Sequence, residues 1–158
     1  MRTLLLAGML MAVLISCNRK KYAAATEYND KVVGFIEQCE RSMKVWNTTN
    51  FMQEYTLKKH NTVMRLLNMQ DSINNIEPLS GDDSLRQMAM YMVDNYLQTF
   101  AVHDTVYSML SDSVYLPEDS ITVQTLLKTN QDTLTQQAAR FAALQKRFSE
   151  RYGLNFIE

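Results

Sequence analysis

The stretch VVGFIEQCERSMKVW, residues 32–46, decides the fold. Val32, Ile36, Cys39, Met43 and Trp46 recur at steps of four, three, four and three, with Glu37, Arg41 and Lys44 between them. A helix turns every 3.6 residues, so this spacing puts the apolar side chains in one seam and the charges on the opposite face. The pattern predicts a helix over 24–46 that packs on other helices. Cys39 lies on the seam, so its expected role is a small buried apolar side chain rather than a nucleophile or the bridge of a dimer.

Working outward, the same periodicity recurs three times. Thr48, Thr49 and Asn50 break the pattern and supply capping groups for a second helix over 51–73. Its apolar side is marked by Met52, Tyr55, Val63, Leu66 and Ile73, helped by Met64 and Leu67. The segment 74–81 is a loop by composition. Ser80 and Asp83 then fit a capping box opening a third helix that runs to about Leu110. Leu85, Ala89, Met92, Tyr96, Phe100, His103 and Val106 form its stripe. A second loop covers 112–119, with Pro117 expected to stop helical continuation. The fourth helix is expected over 120–152, with Leu127, Leu134, Phe141 and Phe148 at steps of seven, Ala138, Leu144 and Tyr152 filling the neighbouring rows, and Gly153 as a left-handed stop. Four amphipathic helices joined by short loops bury their stripes most simply as an all-α, up-down-up-down bundle. The bundle domain is read as 24–158.

The chain begins Met1-Arg2-Thr3, then runs apolar from Leu4 to Ile15. A positive start, a short apolar run and a small residue before a cut form a secretory signal, too short for the about 20 residues of a membrane span. Leu14-Ile15-Ser16-Cys17 resembles the lipobox of bacterial lipoproteins. That resemblance implies removal of residues 1–16 and a diacylglycerol on Cys17, with 17–23 as a lipidated tether. Asn18 stands where lipoproteins kept in the inner membrane usually carry Asp, so an outer-membrane address is implied. No acidic tract follows the anchor, which favours a periplasm-facing domain over the cell surface. With Cys17 acylated, Cys39 is the only thiol left and no internal disulfide can form.

Charge narrows the partners. The whole chain has 16 basic and 17 acidic side chains, and loss of Arg2 makes the mature chain slightly more acidic. Nothing in that balance favours nucleic acid. Arg19-Lys20-Lys21 is the only basic run and sits beside the lipid, where it serves as a solvated tether with some attraction to anionic headgroups.

Chemistry-bearing patterns are sparse. The sequence has no Glu-x-x-His pair of a di-iron bundle, no His-x-x-x-His and no cysteine cluster. If the second and third helices fold about a loop centred near residue 78, His60 falls beside residue 96 and His103 beside 53. That separates the two histidines by roughly 9 to 10 Å along the axis, too far to share an ion. Met88, Met90 and Met92 do not share one helical face and read as adaptable packing. There is no Gly-x-Ser-x-Gly elbow, Gly-rich phosphate loop or plausible Cys/His pair. The expectation is therefore a binding protein with no cofactor and no catalytic residues, accessory to an envelope protein partner. The rival is a carrier or sensor with a small-ligand pocket inside the bundle near His103, Tyr96 and Trp46. His103 is either a neutral core histidine or a polar group facing that ligand.

Asp followed by Ser or Thr and an apolar residue occurs at 71–73, 83–85, 104–106, 112–114, 119–121 and 132–134, taking six of the nine aspartates. The triplet resembles the acceptor motif for periplasmic O-glycosylation in one large group of anaerobic Gram-negative bacteria. That resemblance makes Ser113, in the second loop, the most accessible candidate. Caps at helix starts explain the triplets at 83 and 119 without sugar. Finally, EYNDKVV at 27–33 and QKRFSERYGL at 145–154, together with the lipobox, resemble a family of small helical surface lipoproteins of unknown function. Ser149 stands where that family more often has Ala.

Replacing the anchor is the direct check. Cys17→Ala is expected to move the protein out of the membrane fraction, and continued fractionation with the outer membrane would rule out lipid on Cys17.

Overall fold

A computed structural model describes the backbone of residues 2–47, 52–79, 81–111 and 117–154, and the side chains of 20–46, 56–79, 81–111 and 118–154. The described residues form four helices: α1 (Arg2–Asn47), α2 (Met52–Asn74), α3 (Ser84–Ser111) and α4 (Pro117–Tyr152). Among the described residues there is no strand, only an isolated bridge between Leu79 and Asp82. The all-α four-helix bundle expected from periodicity is the fold.

The seam of α1 is buried throughout. Val32, Ile36, Cys39, Met43 and Trp46 all enter the core, with Ala25 and Tyr28 below them. The α3 stripe follows the same rule, except that His103 stays half-buried. Leu66 and Ile73 anchor α2, and Phe141 and Phe148 anchor α4. The assignments of Met64 and Leu67 to the core of α2 are corrected: both point to solvent, with Leu57, because the buried arc of α2 is narrow and centred on Leu66. Ala138 is likewise exposed, and Gln137 takes the buried position beside it. Met92 is buried while Met88 and Met90 are partly buried against the core, as packing residues.

Helix ends depart from expectation for local reasons. α1 begins at Arg2 rather than near Ala24. The stretch 17–23 contains no Gly or Pro, and Arg, Lys and Ala favour helix, so nothing interrupts the ladder. Pro117 opens α4 instead of blocking it. At a first helical position its missing N–H costs nothing, and Glu118 and Asp119 complement the positive helix end. At the far end Gly153, φ +67°, closes α4 as expected. The Leu154 N–H reaches the Ser149 carbonyl at 2.8 Å and the Gly153 N–H the Glu150 carbonyl at 3.4 Å, the pairing of a Schellman stop.

The cap of α3 also differs. Ser80 lies outside the described residues, and the Asp83 carboxylate is held by Arg86 through Nε at 2.6 Å and Nη2 at 2.7 Å. Asp82 does the capping, accepting from the Ser84 N–H at 3.2 Å and the Ser84 hydroxyl at 2.7 Å. The Arg86 N–H, in the same first turn, donates to Tyr28 Oη of α1 at 3.3 Å. Arg86 Nη1 donates to the Asn74 carbonyl at 3.0 Å, and Arg151 Nη1 to Asp82 Oδ2 at 2.9 Å. Groups from all four helices thus meet at this end. Their partners hold both carboxyls below the usual range: chiefly the hydrogen bond from Ser84 at Asp82, and that from Arg86 at Asp83.

α3 packs against each of the other helices. α1 and α4 share only a short contact, and among the described residues α2 and α4 do not approach each other. The bundle is therefore not a square: α1, α2 and α3 pack together, and α4 lies mainly on α3. Tyr28 of α1 stacks on Phe148 of α4 with ring centroids 5.5 Å apart, and Tyr152 follows at 4.7 Å from Phe148. These contacts join α1 and α4 at the end of the bundle where α1 enters.

Core and surface positions on the same helix make different predictions. Leu66→Ala is expected to cost about 2–5 kcal/mol of unfolding free energy, from lost transfer energy and a cavity. Leu67→Ala, at a 39 % exposed position, should stay within about 0.5 kcal/mol. Urea denaturation of the two variants checks the pair, and equal losses would overturn the placement of α2.

Candidate functional site

Because α1 and α4 barely meet, the half of the bundle away from Tyr28 and Phe148 is open between them. A groove of about 460 Å³ lies there, with α3 as its floor. Tyr96, Thr99 and His103 come from α3, Met43 from α1, and Leu127, Lys128, Asn130, Gln131 and Leu134 from α4. The floor residues share one face because they are spaced by three and four. On α4 the same spacing carries Leu127, Asn130 and Leu134. A larger hollow along α1 is lined among the described residues by α1 alone, from Tyr22 to Lys31, so it has a single wall. A smaller one is lined by Asp82, Arg147 and Arg151, of which Asp82 and Arg151 form an ion pair.

The residues expected to face a ligand are brought together here in part. His103 and Tyr96 line the groove. Trp46 does not line it but supports it from behind, packed edge-on against His103 and tilted against Phe100, both with centroids 4.6 Å away. Burial lowers the His103 pKa from 6.5, opposed by the charge of Asp104. Burial likewise raises the Tyr96 phenol, helped by the charge of Glu40. Both groups are therefore neutral near pH 7. The Thr99 hydroxyl donates to the Asn95 carbonyl at 3.0 Å, and its oxygen lies 3.3 Å from Asn130 Oδ1 of α4 across the floor. Lys128, on the exposed rim, is the only charged side chain of the lining among the described residues.

Met43 reads as packing by its spacing, and Thr99, Lys128, Asn130 and Gln131 belong to no motif in the sequence. One signal was available. Thr99 and Asn130 interrupt apolar rows at positions that neighbouring turns fill with Tyr96, His103, Leu127 and Leu134. A polar residue on a stripe marks a place where the core gives way to something else.

The remaining expectations fall as follows. Cys17 lies within α1, but its side chain is outside the described residues, as is Ser113 entirely. The hydroxyls of Ser72, Thr105 and Thr133, in three other Asp-Ser/Thr triplets, bond the carbonyls of Asn68, Ala101 and Thr129 within their own helices. Cys39 is fully buried with its Sγ 3.3 Å from Met69 Sδ, and burial pushes its thiol up to about 12.

The histidine register is corrected. Lys59 pairs with Asp104, and Gln70 with Asp94, which puts residue 60 level with 103 rather than 96. The loop causes the shift. Ile76 and Leu79 pack onto the core, so the segment runs on along the bundle axis before turning at Gly81, φ +81°. Axial distance therefore does not separate His60 from His103. His60 is exposed while His103 faces Trp46. Among the described residues no group of three or more His, Cys, Asp or Glu is placed to hold a metal ion.

The lowered His103 pKa fixes the sign of a pH effect. The unfolded chain takes up this proton near 6.5 and the folded chain only at lower pH. Stability from this group is thus full above 6.5 and declines as pH falls through 6.5 toward the folded value. Urea midpoints between pH 8 and pH 5 are expected to fall for the parent and to flatten in His103→Gln. Parallel profiles would remove His103 as the cause. No protein-family model, curated protein or solved structure matches the chain, so its function rests on this geometry.

Proposed function

We propose that the chain is a lipid-anchored cell-envelope protein, held by lipid on Cys17 to the outer membrane and facing the periplasm, whose bundle acts by binding rather than by catalysis. The groove between α1, α3 and α4 carries the reading. Its volume falls in the range of about 300–1,000 Å³ of small-molecule sites, and Met43, Leu127 and Leu134 give it an apolar wall beside the polar groups of the other lining residues. A nucleophile or general base would need a convergent partner. His103 is instead packed against an aromatic ring, and the Thr99 proton is committed to a backbone carbonyl. This favours the small-ligand carrier or sensor among the binding readings.

A protein partner is supported by one other observation. Leu57, Met64 and Leu67 place a second apolar row on the outer face of α2, and such rows mark interaction surfaces when contiguous. Among the described residues no helix is long and apolar enough to cross a membrane.

Native mass spectrometry of the protein extracted gently from its own envelope tests the choice. A small-molecule adduct on the acylated chain, lost when Leu134→Trp fills the groove, is the expected result. A stable second subunit retained by Leu134→Trp would favour the protein partner. The bare acylated mass in both forms would overturn a tightly held ligand.

A further inference from the structure

Resting on the groove as the binding site, we infer that its ligand is a single-chain amphipathic carboxylate, held with its head at Lys128 and its tail against Met43, Leu127 and Leu134. The polarity of the groove carries this. Lys128 is its one charged lining residue, and among the described residues no carboxylate forms an ion pair with it. The side-chain amides of Asn130 and Gln131 flank it and can donate. His103 is neutral and Tyr96 keeps its proton, so neither adds a negative charge that would repel a carboxylate.

The opposite end of the groove sets the orientation. Glu40 on α1, which does not itself line the groove, acts electrostatically on its Tyr96, and Tyr96 lies roughly five residues or 7 to 8 Å along the axis from the level of Lys128 set by the Thr99–Asn130 contact. A carboxylate is drawn to the Lys128 end and repelled from the Glu40 end, while the methylenes lie along the apolar wall. Leu127 to Leu134 spans roughly 10 Å of α4, the extended length of an octanoyl chain. The 460 Å³ volume suits one short chain better than the two chains of a membrane lipid.

Trp46 is the only tryptophan of the chain and lies directly behind His103, so it reports on the groove. The lipidated protein in phosphatidylcholine nanodiscs is titrated with octanoate brominated beside its carboxyl, and Trp46 emission is followed. Saturable quenching is expected, displaced by plain octanoate and weakened at least tenfold in Lys128→Glu, whose exposed position leaves the helical circular dichroism intact. Octyltrimethylammonium should not compete. Equal competition by that cation, or undiminished quenching in Lys128→Glu, would overturn the carboxylate while leaving the groove as a binding site. Displacement by phosphatidylglycerol in the nanodisc would assign the groove to a membrane lipid and overturn the single-chain ligand. No saturable quenching would remove both the ligand class and the groove reading.

Discussion

α3 must be covered on three sides. Its buried residues include Leu85, Ala89, Met92, Val93, Tyr96, Phe100 and Val106, an arc wider than one neighbouring helix can shield from water. α1, α2 and α4 each take part of that arc. Apolar burial contributes on the order of 25 cal/mol per Å²; α1 and α2 also bury surface against each other, whereas α4 lies mainly on α3. α1 and α4 therefore meet only briefly. The groove is the space that this arrangement leaves, and its floor is α3 itself.

At one end of the molecule that arrangement is fastened by polar groups. Arg86 satisfies Asp83 and the last carbonyl of α2, Tyr28 satisfies an amide of the first turn of α3, and Arg151 reaches Asp82 from α4. Each helix end would otherwise leave free amides or carbonyls, and here neighbouring elements supply the partners. The opposite end has the aromatic packing of Trp46, Phe100 and His103 beside the Lys59–Asp104 pair. The two ends differ in kind, and the groove lies toward the aromatic one.

How much of this was legible follows from which forces are local. The α1 seam could be read residue by residue because a period of 3.6 is set by the backbone alone. The Gly153 stop was legible for the same reason, as a left-handed position next to a periodic run. Met64 and Leu67 were misplaced because periodicity gives an apolar side but not its width, which depends on how many neighbours a helix has. The register of α2 on α3 was missed because Ile76 and Leu79 were read as loop by the polar residues around them. Their burial lengthens the path along the axis, and only the packed core shows it. His103 and Tyr96 were found as polar groups on a stripe. Lys128, Asn130 and Gln131 were not, because a groove is a relation between helices that no single helix displays.

The unbroken course of α1 has a mechanical meaning. A helix that runs without interruption through residues 17–23 transmits torque as well as tension. With lipid on Cys17 as proposed, the bundle stands on a post of roughly 10 Å rather than hanging from a cord of about 25 Å. The azimuth of the groove is then set by helical phase. One residue added to that stretch would lift the bundle by only about 1.5 Å but turn its open side by about 100° about the α1 axis. In such a design the length of the segment encodes a direction, so it is constrained by counting even where its side chains are free to vary.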